Sequence, residues 1–165
     1  MMNHTSTRRL VAFDLENAAA SGLVDVNWAI DAAYLLSTTL DLDEDDLTYV
    51  AGGPQNLEAV VRVAQIMHGQ ARIRVGADGA DLALLDALEQ MPDTAIESER
   101  RPIKELVVIS GDGIFTQVVL NYVARGLDVV VVSRTGQLSR DLESAASRVF
   151  LMDGLVRPDE YALTA

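Results

Sequence analysis

The chain has 165 residues, 49% hydrophobic and 23% charged, which suits one domain with a full core. It contains no cysteine, so disulfides and thiolate metal sites are excluded, and no apolar run reaches the roughly 18 residues a membrane span needs. The net charge of −12, from 25 acids against 13 bases, disfavours loose binding to nucleic acid through phosphate neutralisation. It leaves open a site where bound cations supply the positive charge. All the bases but Lys104 are arginines, which favour bidentate contacts with phosphate or carboxylate.

The first residues, MMNHTSTRRL, lack the apolar segment and small-residue cleavage site of a secretion signal, and a cytoplasmic protein is expected. Residues 1–7 are expected as a tail, 8–156 as the folded domain and 157–165 as a second tail. Strand-like runs follow in chain order at 10–14, 47–52, 71–76, 105–111, 128–133 and 148–153. Several are continuous and β-branched, the pattern of strands covered on both faces. Helical spacing places helices at about 27–40, 57–67, 81–90, 114–126 and 138–146, with Gly126 as a stop for the fourth. Alternating strands and helices predict an α/β fold with a mainly parallel central sheet. The acidic stretch DLDEDD, 41–46, fails as an EF-hand because Asp46 stands at its sixth position and Gly52 at its twelfth. A solvated turn is expected there, and a polar linker at 91–102. No internal repeat is present.

Ligands of an open parallel sheet bind beyond the carboxyl ends of its strands. Asp14 ends the first strand, Asp78 and Asp81 follow the third, and Asp112 follows the fourth in VVISGDG. In a parallel sheet these acids share one edge. Clustered carboxylates repel one another unless protons or cations intervene, and hard oxygen ligands suit Mg²⁺ or Mn²⁺. Such a cluster polarises a phosphodiester and activates water. Each acid also has a structural role open to it: Asp81 as a helix cap, Asp112 as a turn former beside glycines that serve φ > 0 or close packing, Asp14 beside a helix N-terminus. Asp86, five residues beyond Asp81, either points elsewhere from the helix or lines the pocket. His4 falls in the first tail, and His68 near a helix end suits a dipole or solvent role.

At these residues the sequence resembles the NYN domain family, a branch of the PIN-like, flap-nuclease-related superfamily. FDLEN (13–17), DGADLALLDAL (78–88) and VVISGDGIF (107–115) carry the likeness, and 126–152 is similar to the family's closing strand, helix and strand. The resemblance implies a single Rossmann-like three-layer domain and metal-dependent cleavage of RNA that leaves a 3′-hydroxyl and a 5′-phosphate. Carried over by position, Asp14, Asp81 and Asp112 would be catalytic metal ligands for Mg²⁺ or Mn²⁺. Asn17 would orient a ligand, water or phosphate, and Ser110 would steady the turn. The family often has a second acid where this chain has Ile114. That departure leaves one-metal chemistry, compensation by Glu16, Asp78 or Asp86, or lost activity.

Arg134 and Arg140, near the same sheet edge, are placed to grip phosphate or to serve as ordinary surface arginines. Ser139 is expected to cap the last helix. The short basic patches Arg8–Arg9 and RRPIK (100–104) precede strands and are expected to face away from the site. A dinucleotide-binding domain is disfavoured, since DLENAAASG replaces G-x-G-x-x-G after the first strand. A receiver domain and a haloacid-dehalogenase phosphatase lack their lysines. The alternative of a different class is a catalytically inactive NYN-like binding or regulatory module. A homo-oligomer or a protein partner is open through helix 27–40, with Trp28 and Tyr34, against ordinary core packing.

Overall fold

The structure, a computed structural model, describes residues 7–153. The predicted tails, His4 and the domain end at 156 therefore lie outside the described residues, Thr7 excepted. Six strands, β1 (Arg8–Asp14), β2 (Leu47–Gly52), β3 (Gln70–Ile73), β4 (Ile103–Ile109), β5 (Asp128–Ser133) and β6 (Arg148–Leu151), form one sheet. Their order is β3-β2-β1-β4-β5-β6, and every pairing is parallel. The chain starts in the middle, builds outward to β3, then returns beside β1 and builds the other way. This reversal separates the connections that leave β1 and β4, and opens a crevice at their carboxyl ends.

The unbroken apolar runs are explained by helices on both faces. In β1, Leu10, Val11, Ala12 and Phe13 are all fully buried, and alternate residues enter opposite layers. Val11 and Phe13 meet α2 (Val26–Thr39) and α3 (Leu57–Ile66) through Trp28, Leu36, Val60 and Val63. Leu10 and Ala12 meet α4 (Gly79–Glu89) and α6 (Thr116–Ala124) through Leu84, Leu88, Val119 and Tyr122. This is a Rossmann-like three-layer α/β domain. Trp28 belongs to the core at 1% exposure, whereas Tyr34 on the same helix is 60% exposed.

Differences from the expected elements have local causes. A five-residue helix not foreseen, α1 (Leu15–Ala19), starts directly at the end of β1 because Asp14 caps it. β3 stops at Ile73, short of the predicted 76, and Gly76 then turns the chain at φ 114° toward α4. α4 starts at Gly79, so Asp81 lies in its first turn and does not cap it. The linker 91–102 holds one helical turn, α5 (Asp93–Ile96), whose Ile96 enters the core. The predicted helix 114–126 begins as a 3-10 turn over Gly113–Phe115, and Gly126, at φ 86°, follows its end. The last helix, α7, is confined to Arg140–Ala145. The acidic stretch is not wholly solvated: Asp46 is buried and accepts from the backbone N–H groups of Arg9 and Asp43, both at 2.8 Å. Its Oδ2 also takes Arg9 Nε at 3.1 Å. No helix of the described residues is long and apolar enough to cross a membrane.

Candidate functional site

The two central strands deliver their last residues side by side. Asp14, at the end of β1, is 3% exposed. Its Oδ1 accepts the Asn17 backbone N–H at 3.3 Å and its Oδ2 accepts the Ser110 hydroxyl at 3.0 Å. Ser110, 1% exposed just past β4, in turn accepts the Asp112 backbone N–H at 3.2 Å. One buried hydroxyl thus ties the first acid to the loop carrying the third. Asn17 adds a second tie, its Oδ1 accepting the Gly111 N–H at 2.8 Å.

Asp81 reaches this pair from the first turn of α4, close enough for its carboxyl and that of Asp14 to influence one another. Burial raises the pKa of Asp14. Burial also drives Asp81, pushed up to about 8, with the neighbouring Asp14 carboxyl and the nearby charges of Asp112 and Asp78 adding to it. Two carboxyls in such contact cannot both be ionised without a cation. Asp112 stands close enough to act on Asp81 through its charge. Its own Oδ1 accepts the Ile114 N–H at 2.9 Å and starts the 3-10 turn. Among the described residues no three His, Cys, Asp or Glu side chains already stand in a metal-ligating arrangement.

The two glycines flanking Asp112 serve close approach. Both have φ outside the left-handed region. A Cβ at Gly111 would overlap the Gln137 carbonyl oxygen and Ser133 Oγ, and one at Gly113 would come within 2.9 Å of Ser139 Oγ. The loop after β4 is thereby pressed onto the loop after β5, with Ser139 N–H donating to Gly111 O at 2.8 Å. Ser139 does stand at the N-cap of α7, but its hydroxyl makes no capping bond there.

The remaining candidates divide. Glu16 Oε1 accepts from Gly53 N at 2.7 Å, Gln55 Nε2 at 3.1 Å and Asn56 Nδ2 at 2.8 Å, so this oxygen fixes the turn after β2. Asn56, 3% exposed, also donates to Gly22 O and accepts Val24 N–H. The sequence reading passed over Asn56; its one available signal was GGPQN directly after a strand. Asp86 is exposed and paired with Arg74 at 2.9 Å, away from the acids. Asp78 precedes α4 without a side-chain cap bond and acts on Asp81 through its charge. Arg134 is engaged structurally: its Nε donates to Ala18 O at 2.7 Å and its guanidinium lies 5.8 Å from the Trp28 ring centroid. Arg140 opens α7 and is exposed. Ile114 is 37% exposed beside Asp112.

Fold and site together define a doubly wound α/β domain with Asp14, Asp81 and Asp112 gathered at the point where strand order reverses. No family model and no curated protein matches the chain. Among solved structures it is similar to a Vibrio parahaemolyticus protein described as of unknown function. The two share 16% identity at a TM-score of 0.63, over 93% of this chain and 97% of that one. The likeness is one of fold.

Proposed function

We propose that the protein is a metal-dependent ribonuclease that hydrolyses RNA phosphodiester bonds in the cytoplasm at Asp14, Asp81 and Asp112. The observation that carries this reading is the convergence in the sheet crevice of Asp14 and Asp112, tied together through the Ser110 hydroxyl, with Asp81 reaching Asp14 from α4. A buried and a half-buried carboxyl in close approach favour a cation between them, and the donors are hard oxygens. These oxygens suit Mg²⁺ or Mn²⁺ by chemistry, although no three acids of the described residues stand in a ligating arrangement; when bound, such an ion would supply charge on a phosphate oxygen and a lower pKa for an attacking water. The chain's own part is positioning. Ser110 and Asn17 fix Asp14 and the 110–113 loop relative to one another, so the carboxylates need little rearrangement when charge develops.

The test is cleavage of labelled single-stranded and structured RNAs in EDTA, Mg²⁺ or Mn²⁺, comparing wild type with Asp112→Asn. Metal-dependent cutting that the variant loses supports the proposal. Folded wild-type protein that cuts nothing in any condition sinks it.

A second reading keeps the same pocket for binding alone, as an inactive regulatory module. The apolar Ile114 beside Asp112 and the net charge of −12 favour it. Mn²⁺ binding without any cleavage would decide for this module.

A further inference from the structure

Tyr34 plays no part in the crevice at the carboxyl edge. It stands 60% exposed on α2, directly after Ala32 and Ala33, which are fully buried in the core. With Ile30 of the same helix it lines a groove of about 500 Å³. Arg62, Gln65 and Ile66 of α3, and His68 just beyond it, form the other wall. Ile30 and Ile66 are half-buried, so apolar surface lies open between the two helices.

The charge of this groove is unlike that of the chain. The molecule carries −12, yet no acid lines the groove. Asp31 and Glu58, exposed on the same two helices, are not among its walls. Its basic side chains are Arg62 and His68, and Arg62 is exposed with no ion pair among the described residues. Tyrosine and arginine are the side chains that anchor protein interfaces, whose centres are poor in aspartate and glutamate.

Three features select the occupant. A protruding ring and a hollow lie on one face, and a twofold contact needs both halves on each copy. Two copies at −12 repel one another over most of their surface, and they do so least across a groove without acids. The size fits a weak contact. α2 has 14 residues and is about 21 Å long. With a neighbouring helix about 8–10 Å away the face covers roughly 400 Å², half of the ~800 Å² per partner of a standard interface. We propose that this face joins two copies of the chain in a weak twofold dimer, in which Tyr34 of each copy enters the α2–α3 groove of the other. Its ring lies against Arg62, which gains an aromatic partner in place of a carboxylate. The contact does not involve the acids of the crevice and does not depend on nuclease activity.

Sedimentation equilibrium of the purified full chain, up to about 1 mM protein, measures the association. We expect a dimer with a Kd on the order of 10–100 µM, as suits an interface of this size. Tyr34→Ala should weaken it at least about tenfold, because a central aromatic carries much of such a contact. Tyr34→Phe keeps the ring and should stay within a few-fold of wild type, which separates a lost contact from a lost fold. Arg62→Glu should weaken the dimer as well. Leu120→Ala, at an exposed position of α6 in the opposite layer, should change nothing. Raising NaCl from about 0.1 M to about 1 M shortens the Debye length from about 10 Å to about 3 Å and should tighten the dimer a few-fold, since the copies repel. A chain that stays monomeric up to about 1 mM overturns the proposal. A dimer that Tyr34→Ala leaves intact, or that Leu120→Ala breaks, overturns it too. So does dissociation by salt, which would mean an acidic segment held by Arg62 and His68 in place of the neutral twofold contact.

Discussion

Asn17 on α1 accepts the Gly111 N–H across the midline of the sheet, at 2.8 Å. A backbone N–H can only donate, so this bond also fixes which end of the Asn17 amide is oxygen. The loops after β1 and β4, which carry Asp14 and Asp112, are thereby held in one register. Asn17→Ala should cost about 1 kcal/mol of stability but about 10- to 100-fold in RNA cleavage, because small displacements of acidic groups are amplified in rate. Thermal melting beside single-turnover kinetics separates the two; equal small losses in both would reduce Asn17 to a structural residue.

The raised pKa of Asp81 makes stability depend on pH in a definite direction. Its folded value, about 8, lies above the ordinary 3.8, so between these values the folded protein holds a proton that the unfolded chain has released. This contribution is fully present below about pH 4 and is lost as pH rises through about 8. The lowered pKa values of Asp45 and Asp153 act in the opposite sense, below about pH 4 and outside this window. Metal-free protein should therefore melt at falling temperature between pH 5 and about pH 9. Asp81→Asn should flatten that slope, and Mn²⁺ should raise the melting temperature most at the alkaline end. A variant with the wild-type slope would contradict the raised pKa of Asp81.

Gly111 has no room for a side chain, since a Cβ would meet the Gln137 carbonyl and Ser133 Oγ. Gly111→Ala should destabilise by about 1–3 kcal/mol in urea unfolding, as overpacking does elsewhere. Gly136, in the facing loop, has open space around its would-be Cβ. Gly136→Ala should cost little, and equal costs at the two sites would show that close packing is not what Gly111 provides.

Glu16 and Asn56 hold the turn after β2, and Glu16 also acts on Asp14 through its charge. Asn56→Ala strands the Val24 N–H and removes a donor from Glu16, and should cost about 1–3 kcal/mol. Glu16→Gln should destabilise the turn after β2 while Mn²⁺ affinity stays within a few-fold of wild type. A collapse of metal affinity, read by calorimetry, would instead make Glu16 a ligand.

Most of the fold was legible because the inner strands are short apolar runs covered on both faces, and β5 matches its predicted bounds of 128–133. The helix Val26–Thr39 was expected at about 27–40 and lies within a residue of those bounds. α1 was not, since LENAA is too short to show a period and depends on the cap supplied by Asp14. The burial of Asp46 was equally hidden, because it depends on Arg9 arriving from another strand. Within the site, the convergence of Asp14 and Asp81 followed from parallel strand order. The roles of Arg134 and Glu16 did not, since both are set by tertiary partners, Ala18 and Asn56, that no local pattern marks.

The strand order also has a consequence for how the domain is made. Leu10 of β1 pairs with Leu47 on one side and with Leu106 on the other. During synthesis the first half, through α4, emerges with β1 apolar on both faces and one edge unpaired until β4 follows. That pairing joins segments about ninety residues apart, a separation of the kind that slows folding in general. The same step brings Asp112 beside Asp14 and Asp81, so a stalled or truncated chain would display the hazard of the open edge without ever assembling the three acids.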